Sequence, residues 1–487
     1  MLRYKKVMNR NLKYYLLAIS ACLLFACTDD DSFSVSTSHR LTFSTDTVNM
    51  DTTFSNIPTA TKTFWVYNRS GDGIRCSTVR LERGSHSGFR VNVDGSYLGA
   101  SADYQVSGIE VRDGDSIRVF VELTSPLNGE TIPQQVEDNL VFTLESGIEQ
   151  RVNLCAKSWD ANVLRDVVVE SDMTISGDVP VVIYGGIVVK EGATLTLTDG
   201  AALYFHDGAG IDVYGRLVVQ GTAEKNVVLR GDRLDRMFDY LPYDHVSGQW
   251  KGIRIYEQSY DNVINYADIH AACDAIVCES SDVSRLKLQL YNSIVHNSKG
   301  YGVMTTRSYV DIQNCQITNA LNDCVAVYGG MVNLLHCTIA QFYPFDAARG
   351  FALRFANYNG DKDLPLESFN CTNTIVTGYA DDVIEGSSKN EQIAFAWHFS
   401  HCLLRTQPPT TDQEKLISVI FENPEDTVVY GVKNFKNIDS ELLRYDFRLS
   451  EKSEAIGTAD KEHFLQYDRL GILRDPTAPD MGCYARK

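Results

Sequence analysis

The chain has 487 residues, of which 44% are hydrophobic, and its 45 basic and 63 acidic side chains give a net charge of −18. A chain of this length and apolar content can bury large cores and is expected to form two or more domains. The acidic balance argues against nucleic acid and against broad contact with anionic lipid. A polyanionic glycan would bind only where basic side chains form a local groove.

The first residues have the organisation of an export signal. A basic lead that includes Lys5 and Arg10 is followed by an apolar run, Tyr14 to Phe25, which is shorter than the ~20 residues of a membrane-spanning helix. The run ends in Leu24-Phe25-Ala26-Cys27, which resembles the lipobox of bacterial lipoproteins and implies acylation of Cys27. We therefore predict a signal peptide over 1–26, with an ordinary signal peptide and an incidental cysteine as the alternative.

An acidic segment follows the cysteine directly. Thr28-Asp29-Asp30-Asp31 resembles the export signal of bacteroidete lipoproteins that are displayed on the outer face of the outer membrane. The resemblance implies an outer-membrane lipoprotein exposed on the cell surface, held by its lipid anchor and a tether over 27–39. The alternative is a disordered linker of Asp and Ser without signal content, and the sequence does not distinguish the inner from the outer leaflet.

Short runs of alternating apolar and polar residues continue from Leu41 to Ala156. Turn signals such as Ser70-Gly71-Asp72-Gly73 separate them, and no helical period is present. The pattern predicts an antiparallel β-sandwich of immunoglobulin-like type over 40–157. Cys76 and Cys155 either pair across this sandwich, as exported proteins allow, or remain as buried thiols.

A repeat of about 22 residues dominates the remainder of the chain. A period of this length with tolerated insertions is typical of a solenoid in which each turn is one rung. The repeat aligns six apolar anchors: Ile269, Val295, Ile317, Ile339, Val376 and Leu404. Because side chains alternate along a strand, the residues two positions earlier are also expected to point inward: Ala267, Ser293, Cys315, Cys337, Thr374 and Cys402. A second alignment relates Val303, Val325 and Ala352.

Several stretches of this region resemble the pectate-lyase-like, right-handed parallel β-helix domains of bacteroidete surface lipoproteins. They are GATLTL, GAGIDVYGRLVVQGTAEKNVVL, GQWKGIRI, DFRLSEKSEAIG and the terminal PDMGCYA over Pro479 to Ala485. The resemblance implies an all-β chain with an N-terminal sandwich and a right-handed parallel β-helix over 158–487. It implies little about function, because this fold is found in enzymes and in binding proteins.

Comparison with polygalacturonases, enzymes of this fold that use aspartates on neighbouring rungs, indicates two candidate catalytic aspartates. Asn322 to Val327 resembles the DDCVAV stretch of polygalacturonases, with asparagine in place of the first aspartate, so Asp323 is one candidate and Asp382 is the other. The two aspartates are expected two rungs apart, at a distance of roughly 10 Å. The other motifs of polygalacturonases, NTD and GHG, are missing from the neighbouring rungs. The alternative is that Asp323 closes a turn. No cofactor is predicted, except that calcium is implied if the chain is a lyase.

The insertion from Arg233 to Gln249 is the predicted contact surface, because aromatic rings beside carboxylates suit sugar binding. Its candidate ligand-binding residues are Phe238, Tyr240, Tyr243, Asp239, Asp244 and His245. The alternative is that Phe238 and Tyr240 fold back over the side of the helix. His270 and His296 occupy equivalent outward positions on consecutive repeats, but no carboxylate is expected to join them. We therefore predict surface histidines and no metal site.

Together these features predict a non-catalytic surface protein that binds a glycan or a partner protein, because a complete catalytic set is missing. The rival hypothesis is a polysaccharide lyase or glycoside hydrolase that acts on an external polysaccharide. Ligand identity, disulfide state and oligomeric state are not determined by the sequence.

Overall fold

A computed structural model describes residues 32–423 and 430–486. Cys27, the predicted signal peptide and part of the predicted tether lie outside the described residues. The chain divides into two compact units: the first comprises Ser55–Leu127, Gln134–Ser158 and the described part of Met1–Met50, and the second comprises Asp51–Phe54, Asn128–Pro133 and the chain from Trp159 onward. Within the described ranges, no helix combines the length and apolarity needed to span a membrane.

The first ten strands form two five-stranded sheets, in the orders β1-β3-β8-β5-β6 and β2-β10-β9-β4-β7. These strands are β1 (Leu41–Phe43), β2 (Thr47–Phe54), β3 (Lys62–Asn68), β4 (Ile74–Leu81), β5 (Phe89–Val93), β6 (Ser96–Leu98), β7 (Gln105–Val111), β8 (Ser116–Leu123), β9 (Gln134–Leu144) and β10 (Glu149–Trp159). Alternate side chains such as Phe64 and Val66 are buried in one apolar core shared by both sheets, as expected for strands with one inward face. The predicted β-sandwich is confirmed, whereas its immunoglobulin-like type stays a prediction.

Cys76 lies in that core as a buried free thiol. Burial raises its pKa to about 12. In the structure Cys76 is not joined to Cys155 by the disulfide that the sequence left open.

The following strands include 26 that form one parallel sheet, wound into a right-handed β-helix, and two small hairpins, β19–β20 and β32–β33. They are β11 (Asn162–Val169), β12 (Met173–Ile175), β13 (Val181–Val189), β14 (Thr194–Thr198), β15 (Ala202–Phe205), β16 (Ile211–Val213), β17 (Arg216–Gln220), β18 (Val227–Gly231), β19 (Arg236–Phe238), β20 (Leu241–Pro242), β21 (Ile253–Ile255), β22 (Asn262–Asn265), β23 (Ala267–His270), β24 (Ile276–Cys278), β25 (Leu286–Tyr291), β26 (Ile294–Ser298), β27 (Val303–Gln313), β28 (Gln316–Ala320), β29 (Val325–Leu335), β30 (Thr338–Gln341), β31 (Leu353–Ala356), β32 (Tyr358–Asn359), β33 (Lys362–Asp363), β34 (Leu366–Thr372), β35 (Ile375–Gly378), β36 (Ile384–Ser387), β37 (Phe395–Ser400), β38 (Leu403–Leu404), β39 (Leu416–Ile417) and β40 (Ile420–Phe421).

Each rung contributes strands to three faces. Face 1 contains β14, β17, β22 and β25, face 2 contains β18, β23, β26, β28, β30 and β35, and face 3 contains β16, β21, β24 and β31. The long strands β27 and β29 run from face 3 into face 1. The predicted anchors pair in register along face 2: Ile269 with Val295, then Ile317, Ile339, Val376 and Leu404. This part of the predicted repeat is confirmed.

The predicted inward column is confirmed as well, because all six of its residues are fully buried, from Ala267 to Cys402. The second alignment is wrong at one member. Val303 pairs with Val325, but Val325 pairs with Leu353 and not with Ala352. Both alanine and leucine are buried there, so hydrophobicity did not distinguish the two registers.

At the corner between face 1 and face 2, one residue adopts the same left-handed backbone conformation on successive rungs. On six successive rungs the residue before the inward column has a left-handed backbone, with φ between 50° and 55°. Asparagine tolerates this conformation better than most residues. The six residues are Tyr266, Asn292, Asn314, His336, Asn373 and His401. Side-chain amides also join neighbouring rungs, since Asn314 Nδ2 donates to Asn292 Oδ1 at 3.1 Å.

The end of the chain covers the outer side of face 2. Two antiparallel strands, β41 (Phe435–Asp439) and β42 (Arg444–Leu449), precede an irregular segment that ends with the PDMGCYA stretch. The hydroxyl of Tyr484 donates to Gln316 Oε1 at 2.8 Å, and the backbone N–H of Cys483 donates to Thr338 Oγ1 at 3.1 Å. Apolar side chains of this segment join outward side chains of face 2 in a separate core. Short 3₁₀ turns occur at Gly84–His86, Ala100–Ala102, Tyr243–His245, Gln413–Lys415 and Tyr430–Asn434.

Candidate functional site

Two segments cover face 2 and leave a gap between them. The insertion from Arg233 to Gln249 reaches the rung of His270, and the C-terminal segment contacts face 2 at the rungs of Gln316 and Thr338. A cavity of about 430 Å³ lies in the gap, and we call it the histidine cleft. Its lining includes His245, His296, Asn297, Gln316, Thr318, Asn319, Tyr445, Asp446, Arg448, Leu470 and Tyr484. Most of these side chains carry hydrogen-bonding groups, so the cleft suits a polar ligand.

A cluster of histidines and aspartates forms one end of this cleft. His270 and His296 come from paired positions of β23 and β26, and their rings stack with centroids 4.7 Å apart. Asp268 Oδ1 lies 2.9 Å from His270 Nδ1 and 3.3 Å from His296 Nε2. Asp244 Oδ1, from the insertion, lies 2.9 Å from His270 Nε2.

Two expectations for these histidines are wrong. A carboxylate does join them, because Asp268 precedes His270 by two residues and therefore shares the outward side of β23. His270 is not a surface residue, since its side chain is only 7% exposed beneath the insertion. The Asp-x-His spacing within one strand was the available signal for Asp268, whereas the approach of Asp244 had no local signal.

The pKa values of the groups in the cluster are shifted by burial and by nearby groups of opposite charge. Burial disfavours the charged form of His270, but Asp268 and Asp244 outweigh it and raise the pKa of His270 to about 9. Burial acts against the charged form of Asp244 too, yet His270 and Arg230 hold its pKa well below the usual range, and Arg230 forms an ion pair with it. Burial lowers the pKa of His245, whose Nδ1 is buried without a hydrogen-bond partner.

Of the other four predicted residues of the insertion, Phe238, Asp239 and Tyr240 are exposed and Tyr243 is half-buried. Phe238 and Tyr240 are 54% and 69% exposed and stack on each other at 5.6 Å, so they do not fold back over the helix. Tyr243 lies beneath the Arg233 guanidinium at 3.9 Å, and Asp239 is exposed. The structure therefore separates the six predicted residues: His245 lines the cleft, Asp244 contacts His270 in the adjoining cluster, and the aromatic pair belongs to neither.

The two catalytic candidates lie on face 3, away from the histidine cleft. Asp323 is buried, and its carboxylate accepts from the Phe351 backbone N–H at 2.8 Å and from Arg354 Nε at 2.7 Å. Asp382 is exposed and accepts from the Ile384 backbone N–H at 3.0 Å. The strand pairing places it two rungs from Asp323, as predicted. Asp323 thus has a structural role, as the alternative interpretation held, but its contacts join it to the next rung and do not close a local turn.

A second cavity, of about 650 Å³, adjoins the first and shares Arg448 and Leu470 with it. We call it the basic groove, because the described residues that line it include five basic side chains and one acidic side chain, Glu451. The basic residues are Lys433, Lys436, Arg448, Lys452 and Arg486. They are spread over the last part of the chain with no charge run, so the sequence alone gave no signal for the groove.

These features define an all-β protein in which a sandwich is followed by a right-handed parallel β-helix with a polar cleft on one face. No family model and no curated protein matches the chain.

Three solved structures show limited similarity to it. The catalytic unit of an α-1,3-glucanase from Streptomyces thermodiastaticus is 10% identical over 74% of this chain and 75% of its own, with a TM-score of 0.33. A pectate lyase is 11% identical over 66% of this chain and 98% of its own, with a TM-score of 0.29. A family 123 glycoside hydrolase from Clostridium perfringens is 8% identical over 26% of this chain, with a TM-score of 0.18, and only 30% of the hydrolase is spanned. Similarities this weak assign neither an activity nor a substrate to the present chain.

Proposed function

We propose that this protein is a cell-surface lipoprotein whose β-helix binds an acidic polysaccharide in the basic groove. The observation that carries the proposal is the concentration of five basic side chains in one cavity of a chain with a net charge of −18. Two of the five are paired with acids beside the groove, Lys433 with Glu454 and Arg448 with Asp446, so the local excess of positive charge comes from the other three. A concave surface with an excess of one sign raises the local concentration of oppositely charged ligands. A ligand with regularly spaced carboxylates is the natural counterpart.

The other lining of the groove suits a sugar polymer. Phe435, Leu449, Leu470 and Ile472 supply apolar surface between the cations, and apolar walls with a few polar groups are typical of ligand sites. Arg448 offers planar donors that match a carboxylate, although Asp446 already engages it. The adjoining histidine cleft adds amide and hydroxyl groups, such as those of Asn297 and Thr318, which can bond to sugar hydroxyls.

Calorimetric titration with a polyuronate, such as polygalacturonate, and with a neutral glucan of similar length tests this function. We expect binding of the polyuronate only, and we expect it to weaken as salt is raised because the contacts are ionic. Lys436→Ala/Lys452→Ala is expected to lower the affinity by about tenfold or more, as for two lost ionic contacts. Lys190→Ala/Lys362→Ala removes two exposed charges outside the groove and serves as the control.

Equal binding of both polymers, or equal loss in the two double variants, would contradict the proposal. Binding of a surface protein in place of any glycan would assign the groove to the partner-protein alternative instead.

Catalysis is the rival function and needs its own assay. The purified protein is incubated with plant, host and bacterial polysaccharides while new reducing ends and unsaturated uronate absorbance are followed. We expect neither signal. Cleavage by the wild-type protein that Asp382→Ala abolishes, or that Asp323→Ala abolishes while its far-UV circular dichroism shows a native fold, would establish a polysaccharide lyase or hydrolase and overturn the non-catalytic proposal.

A further inference from the structure

We propose that Asp268, His270 and His296 form a binding site for a divalent transition-metal ion, with Zn²⁺ as the best-matched ion. One ligand atom from each residue lies within 4.8 Å of the others. Imidazole nitrogens combined with a carboxylate oxygen suit zinc, copper and nickel, whereas calcium and magnesium prefer oxygen ligands. This site revises the sequence prediction that the chain holds no metal, and it does not depend on the proposed glycan binding.

The ligand spacing fits a common ion. Two ligands that are each ~2.1 Å from one ion lie about 3.0–3.4 Å apart, for angles between a right angle and the tetrahedral angle. The Asp268 oxygen lies 2.9 Å from His270 Nδ1 and 3.3 Å from His296 Nε2. The two ring nitrogens lie within 4.8 Å of each other, so an entering ion draws them together by side-chain rotation, and the Nδ1 proton of His270 is released to solvent.

The surroundings orient His270 for this role. Its Nε2 lies 2.9 Å from Asp244 Oδ1, so donation of the Nε2 proton to Asp244 leaves the Nδ1 lone pair for the metal. Arg230 holds Asp244 in place through an ion pair. A carboxylate that accepts the second ring proton of a histidine ligand is a recurring feature of metal sites, where it fixes the tautomer and the ring orientation.

The strand framework supplies rigidity, and the cleft supplies access. His270 and His296 are directly paired on neighbouring strands, which holds their rings in a stack. His296 lines the histidine cleft, so an ion bound by three protein ligands would keep an open position toward the cleft, as zinc sites with three protein ligands do. His245 lies outside the group of three but lines the same cavity, and its buried Nδ1 has no hydrogen-bond partner. It is the side chain best placed to approach that open position.

The experiment is calorimetric titration of tag-free, chelator-treated protein with zinc chloride, followed by the visible absorption spectrum of the cobalt-loaded protein. We expect one site per chain with a dissociation constant on the order of 1 μM or tighter. His296→Ala and Asp268→Asn are expected to weaken zinc binding by at least about tenfold and to remove the cobalt spectrum. His463→Ala is the matched control, because His463 forms an equivalent pair with Asp460, at 3.0 Å, outside the cluster.

Far-UV circular dichroism of each variant checks the fold, and the partial exposure of His296, 25% of its side chain, makes its variant the safest. Failure of the wild-type protein to bind zinc, or zinc binding that His296→Ala leaves unchanged, would overturn the proposal. The polyuronate titration is run with chelator present, so its outcome is independent of the metal.

Discussion

Asp323 shows how a residue can resemble a catalytic aspartate and yet serve the packing of a rung. Both of its oxygens are engaged by Arg354 and by the backbone of Phe351, and Arg354 continues to Glu385 on the next rung. A carboxylate buried in this way would have to break its ion pair before it could take part in proton transfer. Its contacts connect three successive rungs of face 3.

The structural role of Asp323 predicts a loss of stability on mutation. Asp323→Ala leaves Arg354 without its buried partner and is expected to lower the free energy of unfolding by about 3 kcal/mol. Asp382→Ala removes an exposed carboxylate and is expected to change it by less than about 0.5 kcal/mol. Chemical denaturation followed by circular dichroism measures both variants. Equal stabilities would contradict this assignment.

The candidate site was predictable only in part, and the reason lies in the range of its contacts. The equivalent positions of His270 and His296 follow from the repeat, and Asp244 and His245 were predicted as ligand residues of the insertion. The repeat carries no information on how a 17-residue insertion, 233–249, folds over its own rung. The ion pairs of Asp244 therefore became visible only in the structure.

At the scale of the rungs, the sequence determines register where a distinctive residue type recurs. The face 2 anchors were aligned correctly because small inward residues precede them, and the left-handed corner adds asparagine or histidine on five of six rungs. Face 3 has no such marker at the rungs of Val325 and Leu353. An insertion separates Val325 from Leu353, and two adjacent buried residues, Ala352 and Leu353, fitted the pattern equally well.

The GQWKGIRI stretch contains a second residue type that indicates rung register, a glycine, and the structure shows why glycine is needed there. Gly252 precedes β21 with φ +99°, and a Cβ at this position would lie 1.8 Å from the carbonyl oxygen of Asp274 on the next rung. No side chain fits there without moving the backbone. A glycine at this point is therefore required by the stacking of the rungs and not by a turn alone.

Gly252→Ala is accordingly expected to destabilise the β-helix by more than about 3 kcal/mol, since it combines an unfavourable backbone conformation with a backbone clash. Gly192→Ala is the matched control: its φ is +79°, but nothing lies within 4 Å of the added Cβ, so only about 1–2 kcal/mol is expected. Denaturation midpoints of the two variants test the difference. If Gly192→Ala is as unstable as Gly252→Ala, the loss of stability comes from the backbone conformation alone and not from the clash.

At the scale of the whole chain, the last residues complete surfaces that the repeat begins. Tyr484 bonds to Gln316, 168 residues earlier, and Arg474 Nη2 donates to Asn314 Oδ1 at 2.8 Å. The basic groove is built largely from this returning segment. Solenoid periodicity predicts contacts between neighbouring rungs only, which is why the fold could be predicted and the groove could not.

Anchoring by Cys27 is the remaining prediction at this scale, and it follows from the sequence alone. Each buried methylene contributes ~0.8 kcal/mol to membrane binding, and one acyl chain is marginal, so several chains on the cysteine give a durable anchor. Cys27→Ser is expected to move the protein from the membrane fraction to the soluble fraction, or to leave its leader uncleaved, and to abolish labelling with radioactive palmitate. Cys22→Ser, within the leader, is the matched control and is expected to behave as the wild type.

Protease treatment of intact cells then tests surface display, because an outward-facing protein is digested without lysis and an inward-facing one is protected. Protection in intact cells would restrict the anchor to the inner leaflet. Palmitate labelling of Cys27→Ser at the wild-type level would refute lipidation at this residue. An anchored, outward-facing protein would expose the basic groove to external polymers.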